Sequence, residues 1–132
     1  MEGQSAESFL HSELTDKIIA AFYKVYSKLG YGFLEKVYEN AMAEEMKANG
    51  IAFKQQAPIK VHYGNAVVGE YFADFLVEER VIIELKCAES VAIEHEHQLI
   101  NYVKATGLEV GLLLNFGAKP QIRRKIFTKN RK

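Results

Sequence analysis

One cysteine in 132 residues, Cys87, leaves no partner for an internal disulfide. It also excludes a zinc ribbon and a cysteine-bound iron–sulfur cluster, which need several thiolates. Apolar runs stop at a handful of residues, far short of the roughly 20 that a membrane-spanning helix needs. No basic stretch precedes an apolar one at the amino terminus, so no secretory signal is expected and the chain reads as cytoplasmic. Low-complexity segments, internal repeats and Pro/Gly-rich linkers are all missing, and with them any sign of a domain boundary.

What is present suits one packed domain. Hydrophobic residues make up 48% and charged residues 26%, which excludes disorder. A chain of this size buries roughly two-thirds of its unfolded surface and folds without staples. Residues 1–9 lack periodicity and are expected to be a disordered tail, residues 10–128 a single domain, and residues 129–132 a basic tail. The net charge of zero hides an asymmetry. From Lys119 to Lys132 there are seven basic residues and no acidic one, whereas the 118 residues before them carry ten basic and seventeen acidic, a balance of −7. A basic end on an acidic body suits an anionic polymer touching one edge, or else is a solvated tail.

Ile18, Ile19, Phe22, Val25, Tyr26 and Leu29 recur at helical spacing up to Gly30, and a second helix is expected from about Leu34 to Asn49. Strands are expected around Ile59–Tyr63, Val67–Val77 and Val81–Leu85, with turns at Gly64-Asn65 and Glu78–Arg80. A third helix (Val91–Thr106), an apolar strand (Val110–Asn115) and an edge strand (Ile122–Phe127) complete an α/β domain with a small mixed β-sheet flanked by helices.

Two carboxylates sit where a core strand should have none. Asp74 lies within an apolar strand, and Glu84 interrupts the most hydrophobic one. If Val77 pairs with Val81 across the turn, Asp74 falls opposite Glu84, with Cβ atoms about 4.5–5.5 Å apart. A turn one residue longer or shorter would put them on opposite faces. Acids forced together repel, and a hard divalent cation such as Mg²⁺ or Mn²⁺ removes that penalty. Lys86, on the same face as Glu84, can hold a phosphate or orient an attacking water. The plainer alternative is a Lys86 ion pair with Glu84 or Asp74. Glu35 falls on the apolar face of the second helix with Leu34, Val37, Tyr38, Ala41, Met42 and Met46, and a buried glutamate needs a partner. Glu45 projects toward the same face from the last turn. Gln98 and Tyr102 share a stripe of the third helix, one turn after His95, which an ordinary amphipathic boundary also explains.

These residues together resemble the GxxExxY family, within the PD-(D/E)XK nuclease-like superfamily. The naming motif is Gly32-Phe33-Leu34-Glu35-Lys36-Val37-Tyr38. Asp74 and Glu84-Leu85-Lys86 match the superfamily's acid and E-x-K elements, with Ala73 where a proline is usual. Gln98-Leu99-Ile100-Asn101-Tyr102 matches the Q-x-x-x-Y element, and Ala105–Leu108 and Gly111–Gly117 also resemble the family. The resemblance implies a restriction-endonuclease-like core with the active site at one sheet edge. It implies Asp74 and Glu84 as metal ligands, Lys86 as the catalytic lysine and Glu35 as an additional acid able to bind a second ion. Gln98 and Tyr102 would line the site from the third helix. His95 falls where relatives often carry histidine, while His97 is expected to face solvent. Cys87 is expected to be a small core residue.

The function this implies is Mg²⁺- or Mn²⁺-dependent hydrolysis of phosphodiester bonds, in DNA rather than RNA. Tyr102 and the basic residues Arg123, Arg124 and Lys125 would contact the nucleic acid. A homodimer or larger complex suits so small a core. The competing reading is a catalytically silent adaptor that binds nucleic acid or protein, and a third is a metal-free ion-pair network.

Overall fold

The computed structural model describes residues 10–128; the predicted tails at 1–9 and 129–132 lie outside the described residues. Helices α1 (Ser12–Leu29) and α2 (Glu35–Ala48) are followed by strands β1 (Phe53–Tyr63), β2 (Ala66–Val77) and β3 (Val81–Lys86), helix α3 (Ile93–Thr106), and strands β4 (Val110–Phe116) and β5 (Pro120–Ile126). The sheet order is β1-β2-β3-β4-β5. Only β3 and β4 run parallel, joined through α3, and the other neighbours are antiparallel. The mixed α/β sheet is therefore as the sequence predicts.

Two strands are longer than their apolar signal. β1 starts six residues before Ile59, because Phe53, Lys54 and Gln55 pair with Val77, Leu76 and Phe75 of β2 while the segment shows no apolar alternation. β5 starts at Pro120, an edge position where a missing N–H costs nothing.

Each sheet face packs on helices. Phe75, Val77, Ile83, Leu85, Leu112, Leu114 and Phe116 meet α1 and α2. Ile82 and Leu113, on the other face, meet Leu99 and Val103 of α3. α3 comes down directly on β4 backbone, since a Cβ at Gly111 would lie 2.8 Å from Leu99 Cδ1 and Val103 Cγ2. The hairpin β1–β2 rolls over partway along. Phe75 and Val77 join the α1–α2 core, yet Ala73 joins the α3 core, although alternation alone would keep all three on one side. The reversal falls at Asp74 and at Gln56 on β1, whose φ is +55°. A sheet that rolls at one residue exposes that residue's surroundings, and here the residue is the first acid.

Tyr38 fixes where α2 begins. Its ring is fully buried and stacks on Phe116 at 4.4 Å between centroids. Its hydroxyl donates to the Gly30 carbonyl at 2.6 Å and accepts from the Phe33 N–H at 3.3 Å. One side chain thus ties the α1–α2 connection to β4. Tyr38→Phe should cost about 1–2 kcal/mol by leaving those backbone groups unpaired, and Tyr38→Ala about 3–5 kcal/mol through a core cavity, read by denaturant unfolding.

Candidate active site

The predicted register holds. Val77 faces Val81, Leu76 faces Ile82 and Phe75 faces Ile83, so the next pair outward is Asp74 and Glu84. There the backbone ladder ends and the side chains take over. The Asp74 N–H donates to Glu84 Oε2 at 3.0 Å, and the Leu85 N–H donates to Asp74 Oδ2 at 2.7 Å. Each acid thus satisfies a backbone donor on the opposite strand or beside the other acid, which wedges β2 and β3 apart while locking both carboxylates. Asp74 Oδ1 accepts only from Gln56 Nε2, at a long 3.3 Å, and no donor among the described residues reaches Glu84 Oε1.

The electrostatics follow from that crowding. Glu84 is 7% exposed. Burial, followed by the Asp74 charge, pushes its carboxyl up to about 8. Burial also raises Asp74, opposed by the Leu85 N–H and reinforced by the charge of Glu39. Lys86, half-exposed at the end of β3, has no carboxylate within 4 Å among the described residues, so the simple ion-pair alternative does not occur here. Two close, dehydrated oxygen donors with an unpaired ammonium beside them fit a hard divalent cation, since neither acid is neutralised by the protein itself.

Glu35 requires a correction. It is exposed in the first turn of α2 rather than buried, and Leu34 and Val37 beside it are exposed too. The buried face is Tyr38, Glu39, Met42, Ala43 and Met46, rotated from the predicted one because Tyr38 is what anchors the helix. Glu35 still belongs to the rim: burial and the Asp74 charge raise its carboxyl, and Lys86 opposes the rise. No group of three His, Cys, Asp or Glu side chains among the described residues is gathered closely enough to hold a metal unaided. Neither Glu35 nor the half-buried His95 therefore completes a protein-only ligand set with Asp74 and Glu84.

The acid that sequence reasoning missed is Glu39. It is 4% exposed, and Gln55 Nε2 (2.7 Å), Gln56 Nε2 (3.0 Å) and Lys36 Nζ (3.2 Å) reach its carboxylate. Burial pushes its carboxyl up, but these three donors outweigh burial and leave it below the usual range. Gln56 spans from Glu39 to Asp74, linking α2 to the first acid through β1. The available signal was the polar pair Gln55-Gln56 at a place where β1 pairs with a core strand.

Tyr102 is buried on α3, packed in one cluster with Ala73 next to Asp74, and burial and the charges of Glu84, Tyr71 and Asp74 raise its phenol. Gln98 is exposed one turn earlier. His97 is exposed, as expected, whereas Cys87 is exposed just past the end of β3 and is not a core residue. The connection after Lys86 is held by the buried Asn115, whose amide exchanges two hydrogen bonds with the Ala88 backbone, at 2.8 and 2.9 Å. Gly117 permits this approach, since a Cβ there would lie 2.2 Å from the Ala88 oxygen.

The basic residues of β5 do not present one cationic face. Arg123 Nε and Lys125 Nζ pair with Glu96 of α3 at 3.3 and 2.6 Å, while Arg124 points the other way and donates to the Leu10 carbonyl. Strand alternation separates them, and charge counting could not reveal Glu96 as their partner.

The Glu84 carboxyl titrates near 4.5 unfolded and about 8 folded, so the folded protein holds a proton that the unfolded chain has released between those values. The resulting stability is full below the lower value and lost as pH rises through the upper one, a loss on the order of 3–5 kcal/mol in metal-free protein. Asp74 acts with the same sign. Melting of chelator-treated protein across pH 5–9 should show this decline, and Glu84→Gln should flatten most of it.

No curated protein matches the chain. Among solved structures, that of SSO0001 superposes with a TM-score of 0.57 at 19% identity, covering 91% of this chain and 61% of that one. An alkaline exonuclease (LHK-Exo) from Laribacter hongkongensis superposes with a TM-score of 0.53 at 12% identity, covering 86% of this chain and 69% of that one. The chain thus spans less than two-thirds of the SSO0001 chain. At such identities the likeness shows the fold, in line with a restriction-endonuclease-like core. No helix among the described residues is long and apolar enough to cross a membrane. Residues 12–125, from the start of α1 to the end of β5, match the family described as the PD-(D/E)XK nuclease superfamily, and the chain belongs to it.

Proposed function

We propose that this chain is a divalent-metal-dependent phosphodiesterase of the GxxExxY group, with DNA as its substrate. The observation that carries the reading is the Asp74–Glu84 pair: two crowded carboxylates, one held by the Asp74 N–H and the other by the Leu85 N–H, with Lys86 close in sequence and paired to neither. An adaptor gains nothing from so unfavourable an arrangement, whereas hydrolysis of a phosphodiester needs it.

Bound Mg²⁺ or Mn²⁺ supplies a Lewis acid that acidifies a coordinated water and offsets charge developing on the phosphate. Asp74 and Glu84 are the residues that would hold it, through the oxygens their mutual hydrogen bonds leave available. Lys86 donates hydrogen bonds from its ammonium, steadying the scissile phosphate and aligning the attacking water. Glu35 on the rim binds protons more readily than a free glutamate does, which suits proton transfer there. Tyr102 walls the site from α3, and Gln98, exposed one turn earlier, offers its amide to the nucleic acid. Glu39 and Gln56 are positioning residues, acting through Asp74. A core of 132 residues spans little of a duplex, so a second copy or a larger complex would supply the remaining contacts.

Asp74→Ala, Glu84→Gln and Lys86→Ala should each reduce Mn²⁺-supported cleavage of labelled DNA about 100-fold or more while the fold persists by circular dichroism. Cleavage surviving Glu84→Gln at the wild-type rate would overturn the reading. Gln56→Ala should give a smaller loss, about 3- to 30-fold, by releasing Asp74.

A further inference from the structure

On the α3 side of the sheet, where Tyr102 packs in one cluster with Ala73 next to Asp74, lies a cleft of about 730 Å³ between the β1–β2 hairpin and α3. Its floor includes Tyr102, whose ring packs against Tyr71 of β2 at 5.4 Å between centroids. Tyr102 is 7% exposed and Tyr71 47%, so the lower ring is sealed and the upper one offers open surface. Along the α3 side stand the exposed amides of Gln98 and Asn101.

The hairpin is shaped to make this space. Val61 and His62 both line the cleft, although consecutive strand residues point to opposite faces. The register shifts between them: Val61 pairs with Gly69 but His62 pairs with Val67, leaving Val68 as an extra residue on β2. That bulge turns His62 toward the cleft. Tyr71 as an aromatic platform, the amides of Gln98 and Asn101, the imidazoles of His62 and His97 and the opposite charges of Glu94 and Lys104 surround a space of small-ligand size, a surface for a flat, hydrogen-bonding ring.

We infer that the cleft receives an unpaired nucleobase, stacked on Tyr71 with its edge toward Gln98 and Asn101, so that the substrate is single-stranded at the site. A paired base inside a duplex offers no free face for stacking, because its neighbours cover both sides. The contact is tolerant of base identity, since every base has such a face. This inference rests on the nuclease reading above and names the strand structure that reading leaves open. Tyr102 joins the two regions, lining the cleft while packing in one cluster with Ala73, the chain neighbour of Asp74. A strand whose base is seated on Tyr71 would thus pass its backbone toward the acids.

The test is fluorescence anisotropy with labelled oligo(dT) and with a blunt duplex of equal length, in chelator so that nothing is cleaved. Wild-type protein should bind the single strand more tightly than the duplex. Tyr71→Ala should weaken single-strand binding about 5- to 100-fold, with Tyr71→Phe within about twofold of wild type because the ring is kept. Tyr71→Ala should leave duplex affinity and melting temperature nearly unchanged. Equal affinity for both forms, or a Tyr71→Ala protein that binds oligo(dT) like wild type, would overturn the inference. Neither outcome touches the catalytic reading, which stands or falls on cleavage by the Glu84→Gln protein.

Discussion

The exchange between Asp74 and Glu84 is the constraint around which the rest of the molecule is arranged. An antiparallel ladder normally continues by pairing backbone N–H with backbone carbonyl. At this position both N–H groups turn instead to carboxylates, so two strands that belong to one sheet come apart. Negative charge is then held at the fork at the cost of desolvation. The raised affinity of Glu84 for a proton measures how poorly the protein alone tolerates it. A bound cation would remove that cost, which is why the pair carries the proposed function.

Three elements converge to hold the fork open. From one side, Tyr38 seats α2 on β4, which brings Glu39 over β1; Gln56 then reaches Asp74. The left-handed backbone at Gln56 and the rolling of the hairpin belong to the same adjustment, since both fall opposite Asp74. From the other side, Asn115 grips the backbone two residues beyond Lys86, and Gly117 makes room for it. Helix α3, packed through Leu99 and Val103 onto the bare backbone of Gly111, contributes Tyr102. The helix that closes the second core therefore also walls the cleft.

The acids and the lysine were legible in the sequence because the short β2–β3 turn fixes the register between the two strands. Once the turn at Glu78–Arg80 fixes Val77 opposite Val81, the positions of Asp74, Glu84 and Lys86 follow. Helical faces are less decisive. The apolar side chains Leu34 and Val37 drew the predicted face of α2 toward Glu35, but both are exposed, and the polar Glu39 is buried through three donors from Lys36, Gln55 and Gln56. Only tertiary structure brings two glutamines of β1 to a helix 16 residues away in sequence. The basic run was legible as composition but not as a surface, for alternation along β5 divides it and Glu96 neutralises one half. Cys87 misled because β3 ends one residue before it.

The most direct test of the central claim is calorimetric titration of Mn²⁺ into wild-type protein and into the Asp74→Ala variant. Saturable binding in the wild type that disappears in the variant is the expected result, since Asp74 and Glu84 are the donors that would hold the ion. Wild-type binding that persists unchanged in Asp74→Ala would place the ion elsewhere and contradict the account.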